Sequence, residues 1–204
     1  MSKDRKNIPR ANMLMGSMRS MGYTFESAIA DILDNSISAH CENIHLFFPS
    51  NPLEIMALGI LDDGKGITND DLFEAMRYGS ASSEDQREDD DLGRFGLGMK
   101  SASMSQCRIL TVASKSNEKI HAYTWDYDYI KAKEDWILKE HTEDEINKIP
   151  YIEKLNEQEQ GTLVVWQNFD VIYKSSDGQV YETLNEYKQS VGDYIALIFH
   201  RFLN

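Results

Sequence analysis

The sequence predicts an α+β fold in which helices cover one face of a mixed, mostly antiparallel sheet. Three observations lead there: helical amphipathic patterns up to His40, successive runs of β-branched and aromatic residues through the middle, and a return to helical periodicity from about Val180. A chain of 204 residues supports one well-buried domain, 1–204, and two would be cramped.

Pro9 to Met21 is expected to form a first helix and Thr24 to His40 a second, with Thr24 as N-cap and Phe25, Ala28, Ile29, Ile32 and Leu33 on one face. Strands are expected at Ile44 to Phe48 and Glu54 to Leu61. Thr68, with Asp70 and Asp71 behind it, opens a short helix to about Arg77. Glu84 to Asp91 is an acidic run that reads either as a solvated loop spread by self-repulsion or as a docking segment for a basic surface. A further short helix should follow Gly98, and then strands at Ile109 to Ser114, Ile120 to Trp125, Trp136 to Lys139 and Leu163 to Gln167. Glu140 to Gln160 is polar and weakly patterned, and is expected to be a surface loop or insertion. A C-terminal helix should span about 180–203.

The formal net charge of −13 argues against binding nucleic acid or anionic membrane by bulk electrostatics, which needs clustered Lys and Arg. Cys41 and Cys107 are too few for a disulfide framework and lack zinc-site spacing, so a reducing, cytoplasmic home is expected. No apolar run has the length of a membrane span, and no secretory leader is visible.

Three segments carry chemistry. Gly93-Arg94-Phe95-Gly96-Leu97-Gly98-Met99-Lys100-Ser101 combines glycines, whose N–H groups can turn inward around an anion, with a lysine and a following helix N-terminus. It misses the P-loop spacing by one residue, Met99, and its glycine order is not that of the dinucleotide fingerprint. In isolation it reads equally as a glycine-rich surface turn. On the second helix Asp31, Asp34, Asn35 and Ser38 share one face, either a plain solvated face or a hard-oxygen set suited to Mg²⁺. Asp62-Asp63-Gly64-Lys65-Gly66 ends a strand and is either a common turn or a carboxylate placed to accept from a planar ligand's exocyclic amine. Thr162 opens the last strand after Gly161.

In this order the segments, D-x-x-D-N, D-x-G-x-G, G-x-x-G-x-G-x-K-S and G-T, resemble the GHKL ATPases (gyrase, heat-shock chaperone, histidine kinase, MutL) over roughly residues 12 to 170. Ala28 to Asn35 and the Lys100-Ser101 ending look most like the MORC and MutL branches. The resemblance implies a Bergerat-type ATP-binding sandwich with ATP and Mg²⁺ as cofactors. Asn35 would ligate the metal, Asp62 would accept from the adenine amine with Thr162 in support, and Gly64, Gly66 and Ile67 would shape the adenine pocket. Residues 79–98 would be the ATP lid, with Arg94, Phe95, Gly96, Leu97 and Gly98 around the phosphates and Met99, Lys100 and Ser101 opening the helix beside them. Asp31 would be the general base and Lys100 would act near the terminal phosphate.

Two departures stand out. The base in most of the family is glutamate, one methylene longer than Asp31, and Ser38 stands where an aspartate is usual. Slow hydrolysis is therefore expected, with a non-hydrolysing ATP-sensing module as the alternative. ATP or ADP and an ATP-dependent second copy are the implied partners, with no membrane and no direct nucleic-acid contact. The chain is expected to be the N-terminal module of a longer protein that gates a larger assembly.

Overall fold

The computed structural model describes residues 5, 7–20, 22–79 and 98–202. Its strands are β1 (Ile44–Phe47), β2 (Ala57–Asp62), β3 (Ile109–Ser116), β4 (Lys119–Asp126), β5 (Lys139–Glu140) and β6 (Gly161–Gln167). They pair antiparallel throughout in the order β1-β2-β6-β3-β4-β5. The helices are α1 (Ala11–Met18), α2 (Phe25–Ser38), α3 (Asn69–Met76), α4 (Gly98–Gln106), α5 (Tyr127–Lys133), α6 (Glu143–Ile146), α7 (Ile152–Asn156), α8 (Asp170–Ser175) and α9 (Val180–Ile198). The predicted α+β class is the one observed.

Strand alternation sorts the sheet into two faces. Leu58 and Ile60 of β2, Leu110 and Val112 of β3, and Val164 and Trp166 of β6 enter the main core with Ala28, Ile29, Ile32 and Leu33 of α2. Phe25, at the head of α2, meets Trp166 edge-on at 5.8 Å and stacks on Tyr187 of α9 at 4.5 Å. Burying side chains of this size stabilises the layer by about 2 kcal/mol each. As expected, Thr24 caps α2. Its hydroxyl accepts from the Ser27 N–H at 3.1 Å, and Ser27 Oγ accepts from the Thr24 N–H at 3.0 Å. Thr68 likewise caps α3. At the other end of α4, Arg19 donates to the carbonyls of Met104 (2.7 Å) and Cys107 and pairs with Asp170, which fixes the direction in which that helix points.

The opposite face corrects the reading of Glu140 to Gln160. This segment holds α6 and α7, which with the turn between them bury Ile146, Ile149, Ile152 and Leu155 against Ala57, Leu61, Ala113, Leu163 and Val165 as a second core. Tyr151 locks it in place: its hydroxyl donates to the Ala57 carbonyl at 3.0 Å, and its ring stacks on Phe47 at 5.2 Å. A Cβ at Gly59 would stand 2.6 Å from that ring. Most strand ends shift by one or two residues from expectation, and β2 and β5 shift most. β2 begins at Ala57 because Glu54 closes a turn, accepting from the Ser50 N–H and hydroxyl at 2.8 Å each. β5 is confined to Lys139–Glu140, because Trp136 packs instead on Tyr78 and Trp125. No helix among the described residues is long and apolar enough to cross a membrane.

Candidate functional site

Asp62 ends β2 in the same alternation phase as Leu58 and Ile60, so its carboxylate enters the layer between sheet and α2. Only 6% exposed, it is held from three directions. Oδ1 accepts from the N–H groups of Gly64 (3.0 Å) and Thr162 (3.2 Å), and Oδ2 accepts from the Ser36 hydroxyl at 2.9 Å. Burial, the largest influence, still pushes its pKa above the usual carboxylate value, against these bonds and with nearby Asp63 adding to the rise. Asp63 points elsewhere, accepting from Glu42 and Asn43 N–H groups and closing the turn after α2.

Register aligns three polar side chains across adjacent strands. Asp62 faces Thr162, and Thr162 faces Ser114. Thr162 Oγ1 lies 2.8 Å from Ser114 Oγ, which also donates to the Gly161 carbonyl at 3.0 Å and accepts from the Ile67 N–H at 2.9 Å. The glycine turn is thereby tied to the sheet. Gly66, at φ +67°, passes so close to β3 that a Cβ there would stand 2.1 Å from the Lys115 carbonyl oxygen. The expected Asp62, Gly64, Gly66, Ile67 and Thr162 are thus brought together. Ser36 and Ser114 belong with them but were not anticipated. Their signal lay in phase: Ser36 falls four residues after Ile32 on the apolar stripe of α2, and Ser114 two after Val112.

A second cluster lies between α2 and α4. Asp31 accepts from the Tyr23 hydroxyl at 2.9 Å, and a Cβ on Gly98 would stand 3.4 Å from the same oxygen, Oδ2. The carboxylate therefore lies beside the first turn of α4, whose backbone N–H groups have no partner within the helix. Asn35 is exposed, its Nδ2 donating to the Asp31 carbonyl at 2.6 Å, and no hydrogen bond among the described residues reaches its Oδ1. Ser38 turns back to the Asp34 carbonyl at 2.9 Å. Asp34 has its pKa raised, first by burial and then by Asp31.

Lys100 occupies a less expected position. Its side chain is buried, and Nζ donates at 2.5 Å to the Ala75 carbonyl in the last turn of α3, 5.9 Å from the centre of the Tyr78 ring. Burial pulls its pKa down to about 8. Met99 packs against the main core, and Ser101 is buried, its hydroxyl without a partner among the described residues. Arg94, Phe95, Gly96 and Leu97 lie outside the described residues, as does the interior of the 79–98 segment.

No individually curated protein matches the chain. The family profile described as histidine kinase-, DNA gyrase B-, and HSP90-like ATPase matches residues 23–162, from the tyrosine before the α2 cap to Thr162. That match spans well over half of the 204 residues and takes in both clusters, and the chain belongs to this GHKL ATPase family.

Proposed function

We propose that the chain binds ATP with Mg²⁺ and hydrolyses it slowly to ADP and phosphate, and that its place is on the MORC/MutL-like branch of the family. The observation that carries the binding half is the Asp62–Thr162–Ser114 row beneath α2. Each carboxylate oxygen has two lone pairs, and Oδ2 of Asp62 accepts only one hydrogen bond among the described residues, so it can receive the exocyclic amine of adenine. Gly64, Gly66 and Ile67 form the turn on which the base would rest, and Thr162 steadies the acceptor through its N–H.

The phosphates would lie toward the first turn of α4, at Gly98, Met99, Lys100 and Ser101, where N–H groups without an intrahelical partner and the helix dipole favour an anion. The donor set near Asn35 fits Mg²⁺. One hard oxygen, Asn35 Oδ1, accepts no hydrogen bond among the described residues and stands one helical turn from Asp31, and Mg²⁺ takes few protein ligands while keeping waters and phosphate oxygens. When bound, the ion supplies charge neutralisation on the phosphates. Asp31, next to that first turn, would accept the proton of the attacking water. Lys100 would leave the Ala75 carbonyl for the terminal phosphate. Ser38, bonded to its own helix, contributes only to the shape of this edge. Closure of segment 79–98 over the nucleotide and pairing of two copies carry over from the sequence resemblance.

Calorimetric titration with a non-hydrolysable ATP analogue and Mg²⁺ tests this reading. One saturable site that Asp62→Asn abolishes is the expected result. A folded wild-type protein with no binding would overturn it.

A further inference from the structure

Asp31 is one methylene shorter than the glutamate usual at its position, so its orientation matters more, and a carboxylate left to itself turns broadly about its last bond. In this chain one of its oxygens is held. The Tyr23 phenol donates to Oδ2 at 2.9 Å, and the same oxygen lies on the side of Gly98, at the start of α4. Oδ1 receives no hydrogen bond among the described residues.

Tyr23 is itself anchored at both ends. Its backbone carbonyl accepts from Gln106 Nε2 at 3.2 Å, its ring packs on the main core, and the next residue, Thr24, caps the helix that carries Asp31. The residue is therefore tied to α2 through its phenol and to α4 through its backbone carbonyl. Burial, with Asp31 adding to it, raises its pKa to about 12, which keeps the donor proton in place at neutral pH.

We propose that Tyr23 is a positioning residue for ATP hydrolysis, holding Asp31 by Oδ2 so that Oδ1 faces the attacking water. The inference rests on Asp31 being the base, as proposed above. In the step it supports, water gives a proton to Asp31 Oδ1 and its oxygen bonds to the γ-phosphorus. The bond from that phosphorus to the β,γ-bridging oxygen breaks, and ADP leaves with the electron pair. Tyr23 keeps its own proton throughout.

The test is steady-state ATP hydrolysis together with analogue binding for wild type, Tyr23→Phe, Asp31→Asn and the double variant. Tyr23→Phe removes one hydroxyl and keeps the packed ring, so the fold is retained. It should lower kcat about tenfold while leaving the analogue affinity within about twofold of wild type. Asp31→Asn should reduce turnover to background, and adding Tyr23→Phe to it should cost nothing more, because the phenol acts only through the carboxylate. Unchanged kcat in Tyr23→Phe overturns the proposal and leaves the base assignment standing. A loss of analogue affinity that accounts for all of the lost kcat/KM also overturns it, since the role would then be structural. Full turnover in Asp31→Asn, or analogue binding without any wild-type turnover, removes the base assignment and this proposal with it.

Discussion

At the Asp62 end of the site both carboxylate oxygens are already engaged and the glycine turn is tied to the sheet through Ser114, whereas at the Asp31 end several groups are held away from any phosphate. Lys100 sits on α3, the Ser101 hydroxyl has no partner among the described residues, and Asn35 faces solvent. On the proposed reading, the difference suits a site that would read the base with a rigid acceptor and the phosphates by rearranging. Preorganisation there cuts the cost of ordering on binding, while the unfinished half leaves a step that bound nucleotide can drive.

The sharpest way to break the comparison is Asp62→Asn. The fold should hold, because the amide oxygen can keep the two N–H bonds and the Ser36 hydroxyl can rotate to accept from the new amide. ATP-analogue affinity should nonetheless fall about 1,000-fold, roughly 4 kcal/mol, because a donor would then face the adenine amine. Isothermal calorimetry beside a circular dichroism melt checks both halves. A smaller loss would mean that the rigid end is not where the base is read.

Next in size is Gly66→Ala. A Cβ 2.1 Å from the Lys115 carbonyl, on a backbone at φ +67°, should destabilise the fold by about 3 kcal/mol in urea unfolding. A near-neutral result would show that the turn can shift and is not rigid.

Lys100→Met tests the opposite end. Removing a buried ammonium held, among the described residues, by one carbonyl should stabilise the nucleotide-free protein by about 2 kcal/mol at pH 7 while weakening analogue binding. Unchanged binding would leave Lys100 a structural residue of α3.

The smallest effect expected is on pH. The folded-state pKa of Lys100, about 8, lies below its ordinary 10.5, so between those values the folded chain has released a proton that the unfolded chain retains. Its contribution to stability therefore rises with pH through that window. If ATP draws the ammonium onto phosphate, binding takes up a proton above pH 8, and affinity should fall by up to about tenfold per pH unit there. Calorimetry in buffers of different ionisation enthalpy would register that uptake.

How far the sequence carries differs between these ends as well. The Asp-Gly turn after β2 and the caps at Thr24 and Thr68 are legible because each is a local pattern of neighbouring residues, although what holds the Asp62 carboxylate lies far away in the chain. Ser36 and Ser114 depend on register and helix phase between distant segments, and a serine on an apolar stripe gives only a weak cue. The position of Lys100 depends on where α3 ends relative to α4, which no local pattern encodes. The second core escaped for a further reason. Ile146, Ile149, Ile152 and Leu155 recur every third residue, a spacing interrupted by Pro150 and by Tyr151 at φ +66°, so neither helical nor strand periodicity announces it.

Tyr151 and Gly59 together form a ring and the hollow that receives it, with no room between them for a methyl group. Residues 59 and 151 are therefore expected to vary as a pair across relatives of this chain. A lineage that replaces the tyrosine by a small residue frees position 59 to take a side chain, and one that keeps the tyrosine keeps the glycine. Such a paired exchange would mark which members of the family carry the helical cover on the second face of the sheet, without a structure of any of them.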